Sequence, residues 1–330
     1  MRTLVSVPEH VVDPITGAVH FGSFLGGFPR VDLTRTAGPL LRTFARKRWL
    51  YVFIAKHPIA VAACVVDLGY SATAFAFAYD AEHKRMLADV TSLGMRAHVS
   101  DTAQEGCVAA FHSRALGVAI RREIGSPSYS LRVRHRDLDV HATMDTTHAP
   151  PSLCAVAEVG KGRVSTTEKR ALLSCKGELR AGADTRSLDG ALGAYDYTHG
   201  VLPRRTRWNW AFLSCTDDRG EPLALNLVQG FMGEPECAAF TKDGVVPLGE
   251  GRFEFDAQRP LSPWGVATRD EKASLQFSPG AAHQEKKNLG LVRSRFIQPV
   301  GTFSGTIDLG SRKARVTHGL GVVEDQDVLW

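Results

Sequence analysis

Arg48-Trp49-Leu50-Tyr51-Val52-Phe53 returns, little altered, as Arg207-Trp208-Asn209-Trp210-Ala211-Phe212. The displacement is 159 positions (207 minus 48), close to half of the 330-residue chain. Each copy opens a long run of β-branched and aromatic residues that is split by a short polar turn. The runs end at Asp67-Leu68-Gly69-Tyr70 and at Val228-Gln229-Gly230-Phe231. Such a run broken by a turn reads as a β-hairpin, and two copies read as a duplicated β unit.

The pattern continues outward from the second copy. Arg205–Ser214, Glu221–Gln229, Glu236–Thr241, Arg252–Phe255, Trp264–Thr268, Ser274–Phe277, Arg293–Thr302 and Arg315–Glu324 read as strands separated by Gly, Pro, Asp or Asn turns. Strands joined mainly by short turns fit an up-and-down antiparallel barrel. The first half holds a noisier series, with Ile59–Val66 as a continuous apolar run and Phe75, Phe77 and Tyr79 on one face of the next strand. A short helix from Pro39 to Arg46 is predicted before it, with Leu40, Leu41 and Phe44 on one side. The reading is an all-β chain of two tandem antiparallel barrels with few short helices. An irregular N-terminal arm spans 1–38, a first barrel 39–190 and a second 191–330.

Composition narrows the function. With 44% hydrophobic and 23% charged residues the chain is globular. Its net charge of +5 is spread among 35 acidic residues, without a basic tail or an RNA-binding aromatic motif, so no nucleic-acid role is expected. Weak contact with an anionic membrane surface is compatible with that charge. No integral membrane segment is expected, because the most apolar stretch, Trp49–Leu68, is interrupted by Lys56-His57-Pro58. Six cysteines without a Cys-x-x-Cys pair read as reduced thiols, and the first ten residues lack the apolar core of a signal peptide. The expected location is cytoplasmic; oligomeric state is not readable.

No nucleophile elbow, zinc-protease helix, phosphate loop or dinucleotide fingerprint occurs, and no cofactor is expected. Gly319-Leu320-Gly321 is followed by Val322-Val323-Glu324 and no helix. His135, Asp137, Asp139 and His141 would line one side of an unbroken strand, but a turn at Arg136-Asp137 makes a solvated hairpin the preferred reading over a metal site. Trp208 and Trp210 stand about 7 Å apart on one strand face, a wall suited to a flat or elongated apolar ligand and equally to barrel core. Buried polar groups need partners, which singles out Asn226 between two leucines, Gln298 beside Ser294 and Phe296, and His318 and Glu324 on the last strand. Before the second repeat, Tyr195-Asp196-Tyr197-Thr198-His199 followed by Arg204-Arg205 combines a carboxylate, an imidazole and two phenols, a set able to perform acid-base work without a cofactor or to clamp a loop.

Asp196-Tyr197-Thr198-His199-Gly200, Arg205 to Trp210, Asn226-Leu227, Trp264, Leu275-Gln276-Phe277-Ser278-Pro279, Ser294 to Gln298 and Gly319 to Trp330 resemble the family known as domain of unknown function 2804. Lys47 to Tyr51 and Glu168-Lys169 extend the resemblance into the first half. More distantly, that family is similar to lipocalin-like double-barrel proteins that include carotenoid hydratases and pericyclic cyclases. The resemblance implies two calycin-type barrels with an apolar cavity or an inter-barrel cleft. The chain departs from those enzymes in having Asn209 between its tryptophans, Glu236-Cys237 after the second hairpin and Gln326 near the end.

The leading expectation is a protein that encloses a lipophilic small molecule, an isoprenoid, polyene or fatty acyl compound, with Trp208, Trp210, Asn226, Trp264, Ser294, Phe296, Gln298 and His318 at the pocket. The alternative is a cofactor-free hydratase, isomerase or cyclase using Asp196, His199 or Glu324. A non-enzymatic interaction scaffold is the third reading.

Overall fold

The computed structural model describes residues 2–288 and 293–330. The chain is all-β, as the sequence predicts, and forms two curled antiparallel sheets, one a nearly closed barrel and the other a half-barrel. The first sheet runs, in spatial order, Arg85–Gly94, Ala72–Asp80, Ile59–Asp67, Arg46–Lys56, Ala191–Val201, Val164–Ala181, Leu138–Asp145, Ser128–His135, Gly117–Arg122, Val108–His112 and Ala97–Val99. The second runs Gly244–Pro247, Ala238–Thr241, Pro222–Gly230, Arg205–Thr216, Lys313–Leu329, Arg293–Asp308, Ala273–Asn288, Trp264–Thr268 and Gly251–Glu254. Its end strand Gly251–Glu254 returns to Pro222–Gly230, where the Phe253 amide donates to Gln229 Oε1 at 3.1 Å.

Both copies of the repeat are the first strands of hairpins. Arg46–Lys56 pairs with Ile59–Asp67, and Arg205–Thr216 pairs with Pro222–Gly230. The second turn is fastened by Asp217, whose Oδ1 accepts from the amides of Arg219 and Glu221. Arg136-Asp137 is likewise a turn, between Ser128–His135 and Leu138–Asp145. That turn takes His135 and Asp139 out of a single row.

The arm and the seam between halves differ in detail from the sequence picture. Gly22–Leu25, in the arm, pairs with Leu153–Glu158 and so joins the first sheet. Ala191–Val201, read with the second unit, is hydrogen-bonded in the first sheet between Val164–Ala181 and Arg46–Lys56, and Arg205 starts the second sheet. Pro39–Ala45 is the predicted helix, but it buries only Ala45; Leu40 is 76% and Phe44 59% exposed.

The composition of the repeat follows from two-sided burial. Leu50, Val52 and Ile54 point into the core of the first sheet, while Tyr51 and Phe53 point out of it and into a second core shared with the other half. A strand buried on both faces reads as a continuous apolar run, because neither face meets water. Each large side chain so buried contributes about 1.5–3 kcal/mol. On the other strand, Trp210 and Phe212 face this same shared core. The duplicated strands therefore meet residue for residue. Trp49 stacks on Trp208 with centroids 6.0 Å apart and 14° between planes, Tyr51 meets Trp210 edge-on at 5.4 Å, and Phe53 meets Phe212 edge-on at 5.6 Å.

All six cysteines are free thiols, five of them buried. No helix among the described residues is long and apolar enough to cross a membrane.

Candidate functional site: a cleft in the seam

Where the aromatic ladder ends, the two sheets separate and leave a cleft of about 180 Å³. Its apolar walls come from both halves, with Trp49, Val66 and Phe75 on one side and Trp208, Trp210 and Phe296 on the other. Charged groups also face it: Lys169, Asp196, Glu236, Glu285 and Glu324. Burying several ionisable groups in an aromatic cleft is costly unless each is paired, so their partners describe the site.

Glu324 lies on the last strand, opposite Trp210, and its carboxylate is held from two sides. The Trp208 indole donates to Oε1 at 2.8 Å and the Gln298 amide donates to Oε2 at 3.0 Å. The Tyr51 hydroxyl donates in turn to Gln298 Oε1 at 3.2 Å. Burial pushes the Glu324 carboxyl up to about 7, against the pull of the two hydrogen bonds; Asp196 raises it further and Lys169 opposes. Burial also raises the Tyr51 phenol well above its ordinary value, so it stays a donor.

Lys169 is the second centre. Its ammonium sits 2.6 Å from Asp196 Oδ2 and 3.1 Å from Glu236 Oε2, beneath the face of Trp210. Burial acts to lower the ammonium's pKa, but the two carboxylates outweigh it and the net shift is upward. Glu236, fully buried, is shifted up by desolvation although Lys169 pulls it down. Asp196 Oδ1 and Glu236 Oε1 are buried without a hydrogen-bond partner among the described residues. These two oxygens are free to accept from a bound molecule or water.

The residues singled out in the sequence separate into three groups. Asp196, Glu324, Trp208, Trp210, Ser294, Phe296 and Gln298 line the cleft. Asn226 supports it from behind, accepting from the Trp210 indole at 2.7 Å and donating to the Glu236 carbonyl at 2.7 Å. Trp264, His199 and His318 lie elsewhere. Trp264 is packed inside the second sheet, stacked on Phe255 at 3.8 Å, with its indole donating to the Pro260 carbonyl. His199 is three residues from Asp196 on the same strand and so projects from the opposite face, away from the cleft. His318 is exposed, because the pairing of the last two strands shifts between Phe303 and Gly305 and breaks the alternation that would have turned it inward.

Lys169, Glu236 and Tyr51 complete the centre without having been assigned to it from sequence. The signal for Lys169 was a Glu-Lys-Arg triplet inside an otherwise buried strand. The partner of Asp196 is this lysine; Arg205, its neighbour in sequence, pairs with Asp327 at 2.9 Å.

The match to a family model runs from residue 8 to residue 330, and that family is described as a domain of unknown function, DUF2804. The chain belongs to the DUF2804 family. No curated relative matches its sequence. Among solved structures this DUF2804 chain is similar to kievitone hydratase from Nectria haematococca, with 17% identity, a TM-score of 0.53, and coverage of 94% of this chain and 97% of that one. It is also similar to a protein described as AttH from Nitrosomonas europaea, with 10% identity, a TM-score of 0.52, and coverage of 86% and 92%. At such identities the likeness is one of fold.

Proposed function

We propose that this DUF2804 protein binds a lipophilic small molecule in the seam and performs cofactor-free proton transfer on it, with Glu324 as the acid. The observation that carries the reading is a carboxyl with a pKa of about 7, fixed by Trp208 and Gln298, facing an aromatic cleft. A simple carrier needs apolar walls only, whereas acid-base work at neutral pH calls for a carboxyl tuned in this way. Asp196, ion-paired to Lys169, is the complementary acceptor. Two carboxyls with different surroundings then take different roles.

For a hydration the steps balance on these groups. The Glu324 proton passes to one carbon of an alkene, whose π pair forms the new C–H bond. A water lone pair forms the C–O bond at the other carbon, and the proton released goes to Asp196. Exchange with water returns both carboxyls to their starting states. An isomerisation differs only in that the second proton leaves from a neighbouring carbon. Hydration is the reaction named for kievitone hydratase, whose fold is similar.

Native mass spectrometry of protein purified from its own host tests the binding step. The expected result is a lipophilic adduct that is retained by the wild type and lost in Trp208→Ala and Phe296→Ala. Protein without an adduct, and without affinity for apolar compounds from host extract, would remove the proposal. An adduct recovered unchanged after incubation with fresh enzyme would reduce it to carriage.

A further inference from the structure

The strand Ala191–Val201 has a second cavity on its other face. Thr198 lines the seam cleft, and His199 lines this separate hollow of about 380 Å³, beneath the helix Pro39–Ala45. Its walls carry Arg30, Arg42, Arg46, Asp32, Asp101 and His199. Asp101 is already taken, since Arg48 holds it at 2.9 Å while also holding Asp67 at 2.6 Å. Arg30, Arg42 and Arg46 make no ion pair among the described residues, and Arg42 Nε is buried without a partner. His199 is 5% exposed, and its Nδ1 is also buried without a hydrogen bond, 3.8 Å from Asp101 Oδ1. Burial and the nearby Arg48 and Arg46 press the imidazole down to about 3, so it is neutral and available as a hydrogen-bonding group.

Three guanidinium groups without an ion pair, only partly offset by the Asp32 carboxylate on which Arg30 and Arg42 act, and an unsatisfied imidazole around one polar hollow suit a ligand with several anionic oxygens. A guanidinium fork matches phosphate geometry and binds it through paired charge-assisted hydrogen bonds. We propose that this cavity is a phosphate-binding site, with Arg42 and Arg46 as the principal contacts, Arg30 at the rim and His199 at the floor. The phosphate is either free or the headgroup of a lipid. The second source is worth testing because Leu40 and Phe44, on the helix over the cavity, are exposed.

Calorimetric titration with inorganic phosphate tests the site, using the full chain and the double variant Arg42→Gln/Arg46→Gln. The wild type should show saturable binding that weakens with salt, and the double variant should bind about tenfold or more weakly, as expected for loss of charge-assisted contacts. The His199 ring resonances of the wild type should shift with phosphate, a readout that needs no variant to fold. Absence of saturable binding at millimolar phosphate, equal binding by a folded double variant, or unmoved His199 resonances would overturn the proposal. Vesicles of phosphatidylcholine with phosphatidic acid separate the two sources. Competition with phosphate assigns the site to a headgroup; unaltered phosphate binding assigns it to a free anion.

Discussion

Glu324 is the buried carboxyl on which the proposed proton transfer depends. Its carboxyl is raised from 4.5 to about 7, so the folded state favours the protonated form. The sign follows: the stability tied to this proton is fully present below about 4.5 and is lost as pH rises through about 7. The size is on the order of 3 kcal/mol. Denaturant unfolding of the wild type and of Glu324→Gln at several pH values should show the wild type losing stability relative to the variant over that window. Parallel curves would contradict the assignment. If Glu324 is the acid, turnover should also fall as pH rises above about 7. Lys169 differs in kind. Lys169→Met strands Asp196 and Glu236 without their shared cation, and should cost about 3–5 kcal/mol in urea unfolding; a loss below about 1 kcal/mol would show that the pair is not desolvated. The sequence singled out Glu324 and Gln298 because a polar group on an apolar strand face stands out, and Trp208 because it shares a strand face with Trp210. It could not show Lys169 or Glu236 as partners, since contacts between distant strands leave no periodic trace.

At the scale of elements, strand alternation was the reliable signal and its interruptions were the unreliable one. Parity put Trp208, Trp210 and Phe212 on one face, and they share it in the seam. The same rule turned His318 inward, and a bulge undoes that. Gly319-Leu320-Gly321, which might suggest a nucleotide loop, has a structural use. A Cβ at Gly321 would stand 2.1 Å from the Phe212 carbonyl oxygen, and one at Gly301, its cross-strand partner, 2.1 Å from that of Ser278. The curl of the sheet brings these backbones too close for any side chain. Gly321→Ala should therefore destabilise the protein by about 1–3 kcal/mol in thermal or denaturant unfolding, the usual range for overpacking. An unchanged midpoint would mean that the strands spread at little cost.

For the whole molecule, the repeat has become an interface. The first strands of the two halves stack Trp49 on Trp208 and Phe53 on Phe212, and His283 of the second half meets Asp89 of the first at 2.6 Å. Two sheets that share a core in this way should unfold together, and calorimetry should show one transition whose van't Hoff and calorimetric enthalpies agree. Two resolved transitions would mean that the seam is only loosely joined. The repeated motif itself was plain in the sequence. That its copies face each other was not, because periodicity assigns residues to a face without saying what covers it. The seam is thus the proposed site, and its chemistry can be tested without knowing the substrate. Wild-type protein and Glu324→Gln are incubated with apolar extract of the host in deuterated water, and the compounds are compared by mass. One lipophilic compound should gain deuterium with the wild type and not with the variant. Equal labelling by both proteins would contradict the role of Glu324, and absence of labelling would contradict proton transfer in the seam.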